Sequence, residues 1–239
     1  MKKSPSLKST IILVLGIDSL MIAIAVGRAI LLDRNPLRYF GEGGFITWLS
    51  IIQLLFIAYL CWKISIFRSR KHSRLKGWKN PGRLWQAMTA GFIFLALDEY
   101  LQIHEKIDVG LQELANIDTG GEASRINDFI ILLYAIIGLF FLWTFKNEFK
   151  RFTSAFEWFL TGFSFCSLTI LLDMLTHNQE IFSFLTQDYE QLTNIHYWFK
   201  AIEEVPKIFA EGAFIVAFYY CLIIAKRLTR KAQKITIKQ

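Results

Sequence analysis

The run GAFIVAFYYCLIIA, residues 212–225, is followed at once by the basic segment KRLTRK, residues 226–231. Together with residues 200–211 the run reaches the length of about 20 residues that a helix needs to cross a hydrocarbon core. A cluster of Lys and Arg directly after such a run is typical of the cytoplasmic end of a transmembrane helix. The segment therefore predicts a spanning helix whose C-terminal end lies in the cytoplasm.

Five further apolar blocks of similar length precede this one. The chain has 239 residues, of which 54% are hydrophobic and 15% aromatic. A soluble domain would distribute its apolar residues at a period of about 3.6 or 2, whereas here they form nearly unbroken blocks. We expect an all-α, polytopic integral membrane protein with six transmembrane helices in a single domain, residues 1–239. The predicted spans are about 10–32, 44–67, 84–104, 128–147, 155–177 and 200–225.

The positive charge of the chain predicts its orientation. The net charge is +7, and most of the 27 Lys and Arg fall in the N-terminal tail, the 63–83 connection, the 146–151 turn and the C-terminal tail. By the positive-inside rule these segments are cytoplasmic, which predicts an N-in/C-in topology. Cations that flank apolar helices suit membrane lipid, and in particular anionic headgroups at the cytoplasmic face, as partners; nucleic acid is not expected.

Ionisable residues inside the predicted spans collect at one depth, in the predicted outer half. Span three ends in LALDEYLQIHE (95–105), span five ends in LLDMLTH (171–177), and span six begins with IEEVPKIFAEG (202–212). Ionisable groups are costly in hydrocarbon and tend to mark a site or a pathway. Three helices are therefore predicted to bring carboxylates and imidazoles together in one layer.

This combination of side chains favours a metal site. Carboxylates and imidazoles from facing helices bind zinc, manganese or iron, and a bound divalent transition metal can activate water for hydrolysis of a lipid at headgroup depth. We therefore predict a membrane-embedded, metal-dependent, hydrolase-like enzyme acting on a lipid-type substrate. The predicted metal ligands are His104, Asp173, His177 and Glu211. The predicted catalytic carboxylates are Asp98, Glu99 and Glu204.

Three other interpretations stay open. In the first, the layer is a structural ion-pair network, in which Lys207 neutralises a carboxylate on its own helical stripe. In the second, the protein is a proton or cation carrier that uses the same carboxylates, with Asp18 of the first span as an inner station. Because Asp18 has no partner on its own helix, it needs a proton or a partner from another span. In the third, the chain is a structural or assembly subunit of a membrane complex.

Three segments carry a resemblance to a known group of proteins. They are FGEGGFITWLS (40–50), FLALDEYLQIHEKI (94–107) and IEEVPKIFAEGAF (202–214). They resemble uncharacterised bacterial six-span membrane proteins in which a DExxxxHE motif recurs, which implies a location in the bacterial inner (plasma) membrane. More distantly, the chain is similar to the alkaline ceramidase and adiponectin-receptor superfamily, whose members are seven-span zinc hydrolases. It departs from them in having six predicted spans, no SxxxH, and Asp173-x3-His177 in place of HxxxH.

Overall fold

The computed structural model describes residues 6–71, 80–103, 106–107, 110, 133, 136–138, 140, 143–176, 179–186 and 188–236. Over these ranges the chain forms helices and turns and no strand, which confirms the all-α prediction. Two 3-10 segments, Lys150–Ala155 and Gln179–Phe182, join longer helices. The α-helices are α1 (Leu7–Leu31), α2 (Leu37–Phe40), α3 (Phe45–Lys71), α4 (Gly82–Leu101), α5 (Lys146–Phe149), α6 (Phe156–Thr176) and α7 (Tyr189–Thr236).

Four helical segments among the described residues are long and apolar enough to cross a membrane: Leu7–Leu31, Leu37–Ser69, Lys146–Thr176 and Tyr189–Arg230. They are consistent with an integral membrane protein. α4, which corresponds to the third predicted span, is not one of the four, and it carries Asp98 and Glu99 near its end. Half of the fourth predicted span, 128–147, lies outside the described residues, so the count of six stays a prediction.

α3 and α7 run in the same direction through the centre of the bundle. Near the start of α3, Ile46 and Leu49 share a buried cluster with Ala201 and Ile208 of α7. Near the end of α3, a second cluster includes α7 residues between Ile215 and Ala225. In the most apolar stretches of α3 and α7, 67% of residues are buried, against 11% for α1 and 17% for α6. α1 and α6 therefore lie on the outside of the bundle.

α4 and α6 both run opposite to α7. α4 begins with Trp85 against Phe218 and ends with Glu99 beside Lys207. α6 runs from Phe159, also against Phe218, to Thr176 near the start of α7. α4 and α6 are therefore parallel to each other. Of the predicted span 128–147, the described residues 133, 136–138, 140, 143–144 and 146–147 are helical and residue 145 is in a turn.

The turn before α3 explains the glycines of FGEGG. A Cβ on Gly44 would lie 2.6 Å from the carbonyl oxygen of Gly41 and 2.7 Å from that of Tyr39, so a side chain does not fit there. The hydroxyl of Thr47 donates to the Gly41 carbonyl at 2.9 Å and closes the turn. This tight connection sets where α3 begins, and so which of its polar residues face α1 and α7.

Candidate functional site

A buried carboxyl of α1 meets a side-chain amide of α3. Asp18 is 0% exposed, and Gln53 Nε2 donates to its Oδ1 at 2.6 Å. The other oxygen, Asp18 Oδ2, approaches Gly212 of α7 so closely that a Cβ there would lie 2.3 Å from it. Among the described residues, Asp18 Oδ2 and Gln53 Oε1 have no hydrogen-bond partner. Asp18 was expected to need a proton or a partner from another span, and Gln53 of α3 is such a partner.

A second buried carboxyl belongs to α7 and also contacts α3. Glu211 is 6% exposed, and its Oε1 accepts a hydrogen bond from Ser50 Oγ at 2.7 Å. Its Oε2 is buried and has no hydrogen-bond partner in the described part of the chain. Ser50 and Gln53 are three residues apart and so share a face of α3. This face of α3 therefore hydrogen-bonds to both Glu211 of α7 and Asp18 of α1.

Lys207 joins α4 to α7. Its Nζ lies 2.7 Å from Glu99 Oε1 and 3.3 Å from Glu204 Oε2. It also acts electrostatically on Glu211, which lies one turn further along α7. The prediction that Lys207 neutralises a carboxylate of its own stripe is confirmed, as is the prediction that polar residues of spans three and six meet.

α6 contributes a contact at the start of the same region. Thr176 Oγ1 donates a short hydrogen bond to Glu203 Oε2. Asp173, one turn earlier on α6, is close enough to Glu203 to interact with it electrostatically. The predicted meeting of spans five and six is therefore confirmed, although the residues that touch are Thr176 and Glu203.

These contacts form one polar layer, which we define as Asp18, Ser50, Gln53, Glu99, Thr176, Glu203, Glu204, Lys207 and Glu211. Along α7 it extends from Glu203 to Gly212, about 13 Å at a rise of about 1.5 Å per residue. It lies toward the end of the bundle where α4 ends, which is the predicted outer end. On the other side of Gly212 the core is apolar and aromatic, with Phe92 and Phe159 packed edge-on against Phe218 at centroid distances of 5.3 and 5.0 Å.

Of the predicted metal ligands, Glu211 is in the layer and Asp173 is at its edge, exposed. His104 and His177 lie outside the described residues. Of the predicted catalytic carboxylates, Glu99 and Glu204 bind Lys207, and Asp98 is buried near the end of α4. Within the described ranges no group of three or more His, Cys, Asp or Glu side chains is arranged to hold a metal. The zinc, manganese or iron site stays a prediction.

The sequence analysis missed Ser50, Gln53 and Gly212. Ser50 and Gln53 are polar residues inside an otherwise apolar predicted span, and this contrast is the sequence feature that could have pointed to them. Their partners come from α1 and α7, so neither their spacing nor a motif reveals them. Gly212 carries no chemistry of its own, and it matters because Asp18 Oδ2 occupies the place of its missing side chain.

A buried ion pair lies at the opposite end of the bundle. α3 continues to Lys71, so Arg68 of the predicted 63–83 connection belongs to this helix, and it is 0% exposed. Its guanidinium donates to both carboxylate oxygens of Glu148 of α5, with Nη2 at 2.7 Å from Oε2. Trp85 Nε1 of α4 lies 3.5 Å from Glu148 Oε1. The pair therefore joins α3, α4 and α5 at the predicted inner end.

Comparison with known proteins gives one match. A family model described as a domain of unknown function (DUF8692) matches residues 9–224, which include all of the polar layer. No curated protein and no solved structure matches the chain.

Proposed function

We propose that this chain, which belongs to the DUF8692 family, is a membrane carrier of protons or other small cations. The observation that carries the proposal is the pair of buried carboxyl groups, Asp18 and Glu211, in helices that are apolar enough to cross a membrane. Each has one oxygen bound by a side chain of α3 and one oxygen without a hydrogen-bond partner among the described residues.

The energetic cost of these groups supports a role beyond packing. Burial of an ionised group costs several kcal/mol even after relaxation, and a buried polar atom without a partner costs about 1–3 kcal/mol. Apolar side chains of similar volume would avoid both costs. A proton or a cation that binds the free oxygen removes them while it is bound. Reversible binding of a small cation is the use that fits such a carboxyl inside a membrane.

A gradient of exposure supports entry from the predicted outer end. The side chain of Glu204 is 28% exposed, Glu211 is 6% exposed, and Asp18 is 0% exposed. Lys207 contacts Glu204 and acts on Glu211, so it links the exposed part of the layer to the buried part. A proton or cation that binds Glu204 competes with Lys207 for this carboxylate and can then pass toward Glu211.

The aromatic core favours a carrier over an open channel. Beyond Gly212, Phe92, Phe159 and Phe218 pack edge-on, and this apolar cluster separates the polar layer from the Arg68–Glu148 pair. A permanently open channel would need a polar path through this region. Release to the predicted inner side therefore requires a rearrangement of the helices, as in alternating access.

The proposal is tested in liposomes that contain the purified protein and a dye sensitive to pH, to Na⁺ or to K⁺, one dye for each ion. An imposed gradient of protons, Na⁺ or K⁺ should produce a flux that Glu211→Gln abolishes. The matched control is Glu157→Gln, since Glu157 is an exposed carboxylate of α6 far from the layer, and this variant should transport like the wild type. Wild-type protein that carries none of these ions faster than protein-free liposomes contradicts the proposal, as does a folded Glu211→Gln variant with unchanged flux.

A second candidate is the metal-dependent, hydrolase-like membrane enzyme. The observation in its favour is that Thr176, the residue before His177, binds Glu203, with Asp173 close by. His104, Asp173, His177 and Glu211 would hold the metal. Metal analysis of the purified protein tests it: His177→Ala should lower the bound metal and the melting temperature together, and His72→Ala should change neither. The enzyme proposal is contradicted if the purified protein is metal-free and its melting temperature does not change when zinc, manganese or iron is added.

A further inference from the structure

The Asp18–Gln53 contact leaves two buried oxygen atoms without a hydrogen-bond partner among the described residues. Gln53 Nε2 donates to Asp18 Oδ1 at 2.6 Å, so each side chain has one further oxygen. Both of these, Asp18 Oδ2 and Gln53 Oε1, are buried and without a hydrogen-bond partner among the described residues. An ionised carboxylate and an amide oxygen can only accept hydrogen bonds. Two acceptors of one buried pair thus lack a donor.

The nearby donors of known position are already engaged. The Gln53 amide nitrogen donates to Asp18, and the hydroxyl of Ser50, one turn earlier on α3, donates to Glu211. α7 presents Gly212 at this point, and Val14 of α1 adds an apolar contact. The surroundings therefore supply neither a further donor nor a positive charge from the side chains that the structure places there.

A single proton on Asp18 can satisfy both of these oxygen atoms. If Asp18 Oδ2 carries a proton, the side chain becomes a carboxylic acid, which donates through Oδ2 and accepts through Oδ1. A primary amide donates through nitrogen and accepts through oxygen, so the two groups can pair through two hydrogen bonds in a ring. The resulting pair has no net charge, which lowers the cost of its burial in an apolar environment.

A metal cation fits the pair less well. Hard cations such as Ca²⁺ and Mg²⁺ take about six or more oxygen ligands, and this pair offers two free oxygens beside a glycine and a valine. We therefore propose that Asp18 and Gln53 form a proton-binding site and that the proton is the ion carried. The second half of this inference rests on the proposed carrier function. Binding converts the Asp18 carboxylate and a hydronium ion into a carboxylic acid and water, and release reverses this step.

Infrared spectroscopy of the full chain in lipid tests the site directly. A protonated carboxyl has a C=O stretch that is separate from the amide and carboxylate bands. At neutral pH the wild type should show this band, with a shift on exchange into D2O. Asp18→Asn should lower the intensity of the band by the contribution of Asp18, and Glu157→Gln should leave it unchanged. An Asp18→Asn spectrum with the band at full intensity overturns the inference.

A second variant covers the case in which Asp18→Asn does not fold. Gln53→Met removes the amide and leaves the carboxyl in place, so the band should move to higher frequency as the hydrogen bonds to the acid are lost. An unchanged frequency overturns the pairing. Flux separates the two proposals: the band without proton flux removes the carrier function and keeps the site, whereas proton flux without the band keeps the carrier and removes the site.

Discussion

Loss of either partner of the buried Arg68–Glu148 pair should lower the free energy of unfolding by several kcal/mol. Removal of one partner of a buried ion pair costs about 3–5 kcal/mol, because the other charge stays buried without compensation. Arg68 is 0% exposed, so Glu148→Leu should lower the free energy of unfolding by that amount. Arg68→Met should also destabilise the protein, because Glu148 then keeps only Trp85 and Arg151 as partners among the described residues, and the Arg151 Nε is 3.5 Å away on a side chain that is 49% exposed. Such an exposed contact is worth up to about 1 kcal/mol, so it does not replace the buried guanidinium.

The double variant is the decisive measurement. Apolar replacement of both partners of a buried pair is often neutral or stabilising, so Arg68→Met with Glu148→Leu should unfold within about 1 kcal/mol of the wild type. Unfolding is followed by SDS titration in mixed micelles, with Trp fluorescence and helical circular dichroism as independent probes. If the costs of the two single variants simply add in the double variant, the reasoning is refuted.

Three further predictions concern the polar layer, and each is measured by the same titration. Gly212→Ala places a Cβ 2.3 Å from Asp18 Oδ2 and should lower the free energy of unfolding by about 1–3 kcal/mol. The control Gly16→Ala, whose Cβ has no atom within 4 Å, should be neutral or stabilising by up to about 1 kcal/mol. Equal effects of the two variants would contradict this prediction. Lys207→Met removes the cation shared by Glu99 and Glu204 and should lower the free energy of unfolding by about 1–3 kcal/mol. Adding Glu99→Gln to this variant should restore part of the loss, and no restoration would argue against the Lys207–Glu99 pair. Thr176→Val removes the donor to Glu203 and should cost about 1 kcal/mol, whereas Thr161→Val, whose hydroxyl bonds the backbone of its own helix, should cost less.

The layer itself was predictable because depth along a helix is a property of the sequence. Glu99 and Lys207 were placed in the same layer by counting residues from the ends of their spans, and their side chains are 2.7 Å apart. The all-α class followed from the apolar blocks for the same reason, since hydropathy is read locally along the chain.

The rotation of each helix about its axis was not predictable. A soluble helix shows its buried face as an apolar stripe, but α3 is apolar on nearly every side, so its sequence does not indicate which face meets α7. Ser50 and Gln53 therefore gave no sign of their partners. The burial of Arg68 was not predictable for a related reason: a cation after an apolar run normally lies at the interface, and its buried partner, Glu148, comes 80 residues later.

The contact between α1 and α7 has a consequence for biosynthesis. Asp18 lies in α1, whereas Gly212 lies in α7, 194 residues later in the sequence. At about 5–20 residues per second, roughly 10–40 s of translation separate them. During this interval α1 holds a carboxyl in the membrane or in the translocon without its final neighbour, and an aspartate there costs about 2.5–3.5 kcal/mol. Docking of α7 onto Asp18 therefore ends the period in which this carboxyl lacks its neighbour on α7.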